Sequence, residues 1–145
     1  MHIPADALIS FLRSMPQLLS FVIWELNDGE YGVIGPDVIH ALSLTENGQP
    51  VLLPKMTTFE VANSYQPSAT QLAGMVESRG WSREDAGSNL ESPRLMRVRG
   101  YFFLGLHTVA DERGIARLRL CRATGLDISC QWVKRHSLGI DIVTL

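Results

Sequence analysis

Apolar residues near the start of the chain recur at the spacing of a helix. Four of them follow one another at intervals that include three and four residues: Leu8, Phe11, Leu12 and Met15. Such spacing places apolar side chains on one helical face, and Pro4 suits the first turn. The pattern therefore predicts a short amphipathic helix that ends before Pro16.

Residues 19–26 form a dense apolar run in which β-branched and aromatic side chains are common. This composition favours a buried strand, although a short apolar run also fits a helix. Glu25 lies inside the run, so it needs a partner such as an arginine if it is buried. At a sheet edge it would instead discourage strand addition. Asn27, Asp28 and Gly29 then predict a turn into a brief strand at residues 31–34.

Asn47 and Gly48 predict a hairpin, because both tolerate the positive φ of a type I′ turn. With these residues at its centre, three pairs face one another: Leu44 with Val51, Leu42 with Leu53, and His40 with Lys55. His40 then falls on an apolar face, where a hydrogen-bonded structural histidine is expected.

A capping box predicts a helix in the middle of the chain. Ser68 and Gln71 have the required spacing, and Gly80 is suited to end the helix. An apolar stripe lies between them: Leu72, Met75 and Val76. Residues 82–85 have the pattern of a helix cap and predict a second, poorer helix that ends before Pro93. Residues 54–67 predict an exposed connection.

The pattern from residue 94 onward predicts strands. Four segments alternate with turn residues and indicate a meander: 94–109, 115–122, 126–133 and 138–145. The predicted fold class is α+β, with an N-terminal helix, two short β-hairpins, one or two central helices and a C-terminal four-stranded antiparallel sheet. We expect the helices to cover the apolar face of that sheet within a single domain, 1–145.

Charge is divided unevenly along this domain. Residues 1–93 carry four basic and eleven acidic residues, a net of −7, whereas residues 94–145 carry nine basic and four acidic residues, a net of +5. The overall charge of −2 hides this division into an acidic half and a basic, β-rich half. Such asymmetry bears on partners and solubility rather than on fold.

Strand alternation places many of the basic residues on one side of the predicted sheet. If residues 97–109 and 115–122 pair as a hairpin, that side gathers seven candidate binding residues: Arg97, Arg99, Tyr101, Phe103, His107, Arg117 and Arg119. A bulge at Gly100 would move the residues before it to the other side. The arginines fit three interpretations: a solvated face, a surface that docks on acidic groups of this chain or another protein, and a nucleic-acid site.

Candidate chemistry is sparse. His107 and Cys121 share a face in the predicted pairing, but they are too far apart for a thiolate–imidazole pair without local distortion. No metal-binding or phosphate-binding motif occurs, so no cofactor is expected. Two cysteines fit a reducing compartment, and neither a signal peptide nor a membrane span is predicted. The expected location is the cytoplasm, or host cytoplasm for a phage or viral protein.

These observations favour a non-enzymatic protein that binds a protein partner or assembles with itself through a charge-polarised surface. Accessory factors of the inhibitor, immunity, chaperone or phage assembly type fit this description. A nucleic-acid-binding protein that uses the arginine and aromatic face is the alternative. A small hydrolase-like enzyme with a Cys/His pair is the second alternative.

Overall fold

The computed structural model describes residues 3–25, 34–64, 67–81, 94–104 and 111–145. Its helices are α1 (Ala5–Arg13), α2 (Pro36–Ser43), α3 (Ala69–Val76) and α4 (Glu112–Ala123), with a π-helical turn at Glu77–Trp81. Its strands are β1 (Ser20–Trp24), β2 (Thr45–Glu46), β3 (Gln49–Pro50), β4 (Thr58–Ser64), β5 (Arg97–Leu104), β6 (Asp127–His136) and β7 (Gly139–Thr144).

Five of these strands form a mixed sheet in the order β1-β4-β5-β6-β7. The first four are parallel, and β7 returns antiparallel to β6 through a tight turn. Two parallel strands that are neighbours in the sheet must be joined by a crossover connection. Because such connections are right-handed and the strands are added in one direction across the sheet, their helices lie on the same face. In agreement, α2 packs on α3 and α3 packs on α4, which forms one helix layer.

The core lies between this helix layer and the sheet. Phe59, Val98 and Phe102 from the strands and Leu72 and Leu118 from the helices are all fully buried. Each such side chain contributes about 1.5–3 kcal/mol through its removal from water. Beside Phe102, the ring of Trp132 lies 5.4 Å away, centroid to centroid, and its indole N–H donates to the carbonyl of Pro67.

Several local predictions are confirmed. The N-terminal helix and the strand after it form as α1 and β1. Ser68 and Gln71 make both hydrogen bonds of the capping box at the start of α3. Asn47 and Gly48 adopt φ values of 51° and 75°, as a type I′ turn requires, between β2 and β3.

The predicted four-stranded antiparallel sheet is wrong, because residues 115–122 belong to helix α4. Asp111 caps this helix by accepting hydrogen bonds from the amides of Arg113 and Gly114. A helix between β5 and β6 reverses the chain before β6 begins, so the two strands run parallel. Within the five-stranded sheet, the antiparallel pair is that of β6 with β7.

Two predictions in the first half are also wrong. Residues 54–67 contain β4, a central strand whose Phe59 is fully buried, rather than an exposed connection. Residues 36–43 form α2, so Leu42 and His40 do not extend the hairpin. His40 is exposed on that helix rather than held on an apolar face. The strand expected at 31–34, apart from Ile34, and the helix expected from residues 82–85 lie outside the described residues.

Candidate functional site

The sheet has a second face that points away from the helix layer. Even-numbered residues of β1, β7 and 58–62 of β4 point to this side, as do odd-numbered residues of β5 and β6. We call this surface the open face. All four described helices contribute their buried residues to the core on the opposite side. Parallel sheets are almost always covered on both faces, so parallel strands with one face that no described helix covers need an explanation.

Apolar side chains are well exposed on the open face. Trp24 on β1 has 76% of its surface exposed, and Ile140 and Ile142 on β7 are 59% and 58% exposed. A single exposed apolar residue is ordinary, whereas a group on one surface is typical of an interaction site. The open face is therefore the strongest candidate for a functional surface among the described residues.

The open face changes character along the strands. Near the strand starts, two rows of polar side chains cross the sheet: Thr58, Arg97 and Asp127, then Glu60, Arg99 and Ser129. Further along, one row begins with Trp24, Ala62 and Tyr101 and continues with the polar residues Gln131 and Thr144, and the next row is apolar: Phe103, Val133 and Ile142. A charged surface thus adjoins an aromatic one, which suits a ligand that has both characters.

Asp127 holds two arginines of the polar rows. Nη2 of Arg99 donates to both carboxylate oxygens at 2.8 Å, and Nε of Arg97 donates to one of them at 3.1 Å. The hydrogen bond from Arg99, followed by that from Arg97, lowers the pKa of Asp127. The same hydrogen bond raises the pKa of Arg99. The single carboxylate of Asp127 therefore offsets one of the two positive charges that these arginines bring to the face.

The aromatic rows are held by contacts among their own side chains. The ring of Tyr101 meets that of Phe103 edge to face, with 5.4 Å between centroids. The guanidinium of Arg135 lies 5.6 Å from the centroid of Phe103, within the range of a cation–π contact. These contacts fix the rings in place, which lowers the entropy lost when a partner binds.

A cavity of about 270 Å³ lies where the polar and aromatic rows meet. Side chains from four strands line it: Trp24, Glu60, Ala62, Arg99, Tyr101 and Gln131. Sites for small molecules usually have volumes of about 300–1,000 Å³. The cavity is therefore sized for a single side chain rather than for a large cofactor.

A second, larger groove of about 440 Å³ lies between α1 and β1. Apolar residues dominate its walls, including Leu8, Phe11 and Phe21, and Ser20 is its polar side chain. Such a groove offers little to orient a specific ligand, because a few placed polar groups normally provide that orientation.

Four of the seven predicted binding residues are brought together on the open face: Arg97, Arg99, Tyr101 and Phe103. Arg117 and Arg119 lie on α4, on the other side of the sheet, because that segment is a helix. His107 lies outside the described residues. Sequence reasoning missed Trp24, Glu60, Ala62 and Gln131, although the alternation of residues 58–62 marks a strand that would have placed two of them.

The cysteine-based alternative gains no support from the described residues. Sγ of Cys121 lies 3.8 Å from the carbonyl of Trp81, and burial raises the pKa of its thiol. Burial also raises the pKa of Cys130 to about 12. Both shifts disfavour the thiolate that a nucleophilic cysteine needs.

The described part of the chain offers neither a metal site nor a membrane-spanning helix. No group of three or more His, Cys, Asp or Glu side chains there could hold a metal ion. Within the same ranges, no helix is long and apolar enough to cross a membrane.

No protein-family model matches the sequence, and no curated protein or solved structure shows significant similarity to it.

Proposed function

We propose that this chain binds another protein through the open face of its sheet. The observation that carries the proposal is a sheet face that no described helix covers, on which exposed Trp24 lines the same cavity as Tyr101, the ring that packs on Phe103. Uncovered parallel sheets are rare because their strands carry apolar residues on both sides. A partner that covers this face would restore the usual two-sided burial.

The composition of the open face supports a protein partner. Tryptophan, tyrosine and arginine supply most of the binding energy at protein interfaces, and Trp24, Tyr101 and Arg135 stand on this surface. Five strands at about 4.8 Å spacing and about five residues of 3.3 Å each give a flat area of roughly 400 Å². Counted on both partners, this is about 800 Å², below the size of stable interfaces and in the range of weak or transient contacts. We infer a short segment or a small protein as the partner.

The open face, rather than the uneven charge of the two halves, carries this proposal. Accessory factors of the inhibitor, immunity, chaperone or phage assembly type remain the kinds of protein that it fits. Self-association through the same face is the variant in which the partner is a second copy.

Nucleic-acid binding is the second candidate, favoured by the stacking of Arg135 on Phe103. It is weaker, because Asp127 already engages Arg97 and Arg99. Glu60 adds a further negative charge to the same surface. Phosphates would have to displace these carboxylates to reach the guanidinium groups.

Photo-crosslinking tests the proposal directly. A photoreactive phenylalanine derivative replaces Trp24, and the control replaces Phe11, which is 60% exposed on α1. We expect a discrete protein adduct from position 24 that is absent from position 11 and is lost with Tyr101→Ala. An adduct at twice the mass of the chain supports the self-association variant. Equal yields at both positions, or an adduct that nuclease removes, would contradict the proposal.

A further inference from the structure

We propose that the cavity on the open face binds one arginine side chain presented by the protein partner. This inference rests on the proposed function and names the group that the partner would insert. Three observations support it: two aromatic walls, one carboxylate with no hydrogen bond or ion pair among the described residues, and a volume that suits a single side chain.

Trp24 and Tyr101 form opposite walls of the cavity. Both are in register with Ala62, which lies on the strand between them. Strands two positions apart are separated by about 9.6 Å, enough for a planar group between two rings. Ala62, between them, has only a methyl side chain, so the space between the two rings is not filled. A guanidinium is planar, and it stacks on aromatic faces more readily than the ammonium of lysine does.

Glu60 supplies the complementary charge. It lies on β4 two residues before Ala62, lines the same cavity, and is partly buried. Within the described residues, it makes no hydrogen bond or ion pair. Arg99 is the cross-strand neighbour of Glu60 and the two charges attract each other, but the guanidinium of Arg99 donates its hydrogen bonds to Asp127. The carboxylate of Glu60 is therefore available to accept hydrogen bonds from an incoming guanidinium.

Asp127 thus has an indirect part in the site. Because Asp127 pairs with the guanidinium of Arg99, that guanidinium does not form an ion pair with Glu60. The amide of Gln131 lines the cavity as well, and its oxygen is a further acceptor for the five donors of a guanidinium. The size of the cavity, its negative charge and its hydrogen-bond acceptors all suit an arginine side chain.

The test uses two small probes with the intact chain. N-acetyl-arginine amide carries the guanidinium, and N-acetyl-citrulline amide has the same shape without the charge. We expect the arginine probe to bind with a millimolar Kd and to shift the NMR signals of Trp24 and Tyr101. The citrulline probe should bind at least tenfold more weakly. Equal binding of the two probes would overturn the inference.

Three variants locate the binding site. Glu60→Gln should weaken the arginine probe about tenfold, while Glu46→Gln, on the exposed hairpin, should leave it unchanged. Asp127→Asn should also weaken it, because Arg99 becomes free to pair with Glu60. Each variant must first show the dispersed NMR spectrum of the parent. Unchanged affinity in Glu60→Gln would overturn the inference, and unchanged affinity in Asp127→Asn would overturn the indirect role of Asp127.

The crosslinking experiment separates this inference from the proposed function. If the adduct at position 24 persists in Glu60→Gln with full yield, the open face binds a protein without using the arginine site, and only the inference fails. If the arginine probe binds at the cavity but no adduct forms, the cavity binds a guanidinium, whereas the proposed function fails and with it the assignment of that arginine to a protein partner.

Discussion

Arg117 on α4 donates two hydrogen bonds to the carboxylate of Glu77, from Nε at 2.9 Å and from Nη2 at 2.5 Å. Glu77 belongs to the acidic half of the sequence and Arg117 to the basic half. Their side chains are 30% and 33% exposed, so the pair is only partly screened by water. Part of the uneven charge along the chain is therefore used to join α4 to the turn that follows α3.

Removal of this ion pair should destabilise the fold modestly. We expect Arg117→Met to lower the free energy of unfolding by about 1 kcal/mol, since a two-point, partly buried pair exceeds the usual surface value. Arg119→Met is the matched control, because Arg119 is exposed on the same helix. Urea denaturation measures both changes. Equal effects of the two substitutions would show that the contact with Glu77 contributes nothing.

The packing of α4 on α3 depends on Gly114. A Cβ atom at this position would lie 2.3 Å from the amide nitrogen of Thr70 and 2.4 Å from the carbonyl carbon of Ala69, and neither backbone atom can yield cheaply. We expect Gly114→Ala to cost roughly 2 kcal/mol of stability, as overpacked cores do.

Gly74→Ala in α3 is the opposite case. No atom lies within 4 Å of its added Cβ. This change should stabilise the protein by about 0.5–1 kcal/mol through helix propensity. Thermal unfolding midpoints that move in opposite directions for the two alanine variants would confirm the contact at Gly114. A shift of the same sign in both would contradict it.

The main error of the sequence-based prediction arose in one segment. In residues 115–122, arginines and leucines alternate as in a strand, yet Ile115, Leu118 and Cys121 also have the spacing of a helical face. Leu120 decides between the two patterns, because it is 48% exposed whereas those three residues are buried. The wrong element placed an extra strand between β5 and β6, which in the structure are direct parallel neighbours, so the predicted strand order and pairing of the sheet were wrong.

The candidate site was predictable only within single strands. Alternation along β5 placed Arg97, Arg99, Tyr101 and Phe103 on one side, and their neighbours in the structure agree with that placement. The walls contributed by Trp24 and Glu60 depend on which strands are neighbours. Pairing between distant strands is set by tertiary packing, which local patterns do not encode.

Arg79 stabilises the region between α2 and β4. Its guanidinium is buried and donates to three backbone carbonyls, those of Leu42, Leu52 and Leu53. Burial lowers the pKa of Arg79 to about 10, so it remains charged at neutral pH. We expect Arg79→Met to cost about 3 kcal/mol, because the three carbonyls lose their donor.

Arg79→Lys is the matched comparison for this site. A lysine keeps the charge but cannot reach all three carbonyls with one fork, so its loss of stability should be intermediate. Guanidinium chloride denaturation of both variants measures the difference. A methionine variant as stable as the parent would show that these hydrogen bonds are not needed.

Titration of Asp127 should reveal the hydrogen bonds on the open face. Because Arg99 and then Arg97 lower its pKa, carbonyl NMR should find a value below the usual 3.9 for aspartate. Arg99→Gln should raise that pKa more than Arg97→Gln does. The stabilising effect is present above the pKa of the unfolded chain and is lost as pH falls through the lowered native value. A pKa unchanged by Arg99→Gln would contradict the arrangement.

Thiol labelling distinguishes structural cysteines from a reactive one. Burial raises the pKa of both Cys121 and Cys130, the latter to about 12, so little thiolate exists at pH 8. We expect neither thiol to react quickly with an aromatic disulfide reagent in the native protein, and both to react in urea. Single Cys→Ala variants assign any signal to its residue. Fast native labelling at Cys121 would revive the enzyme alternative, because only a stabilised thiolate reacts at such a rate.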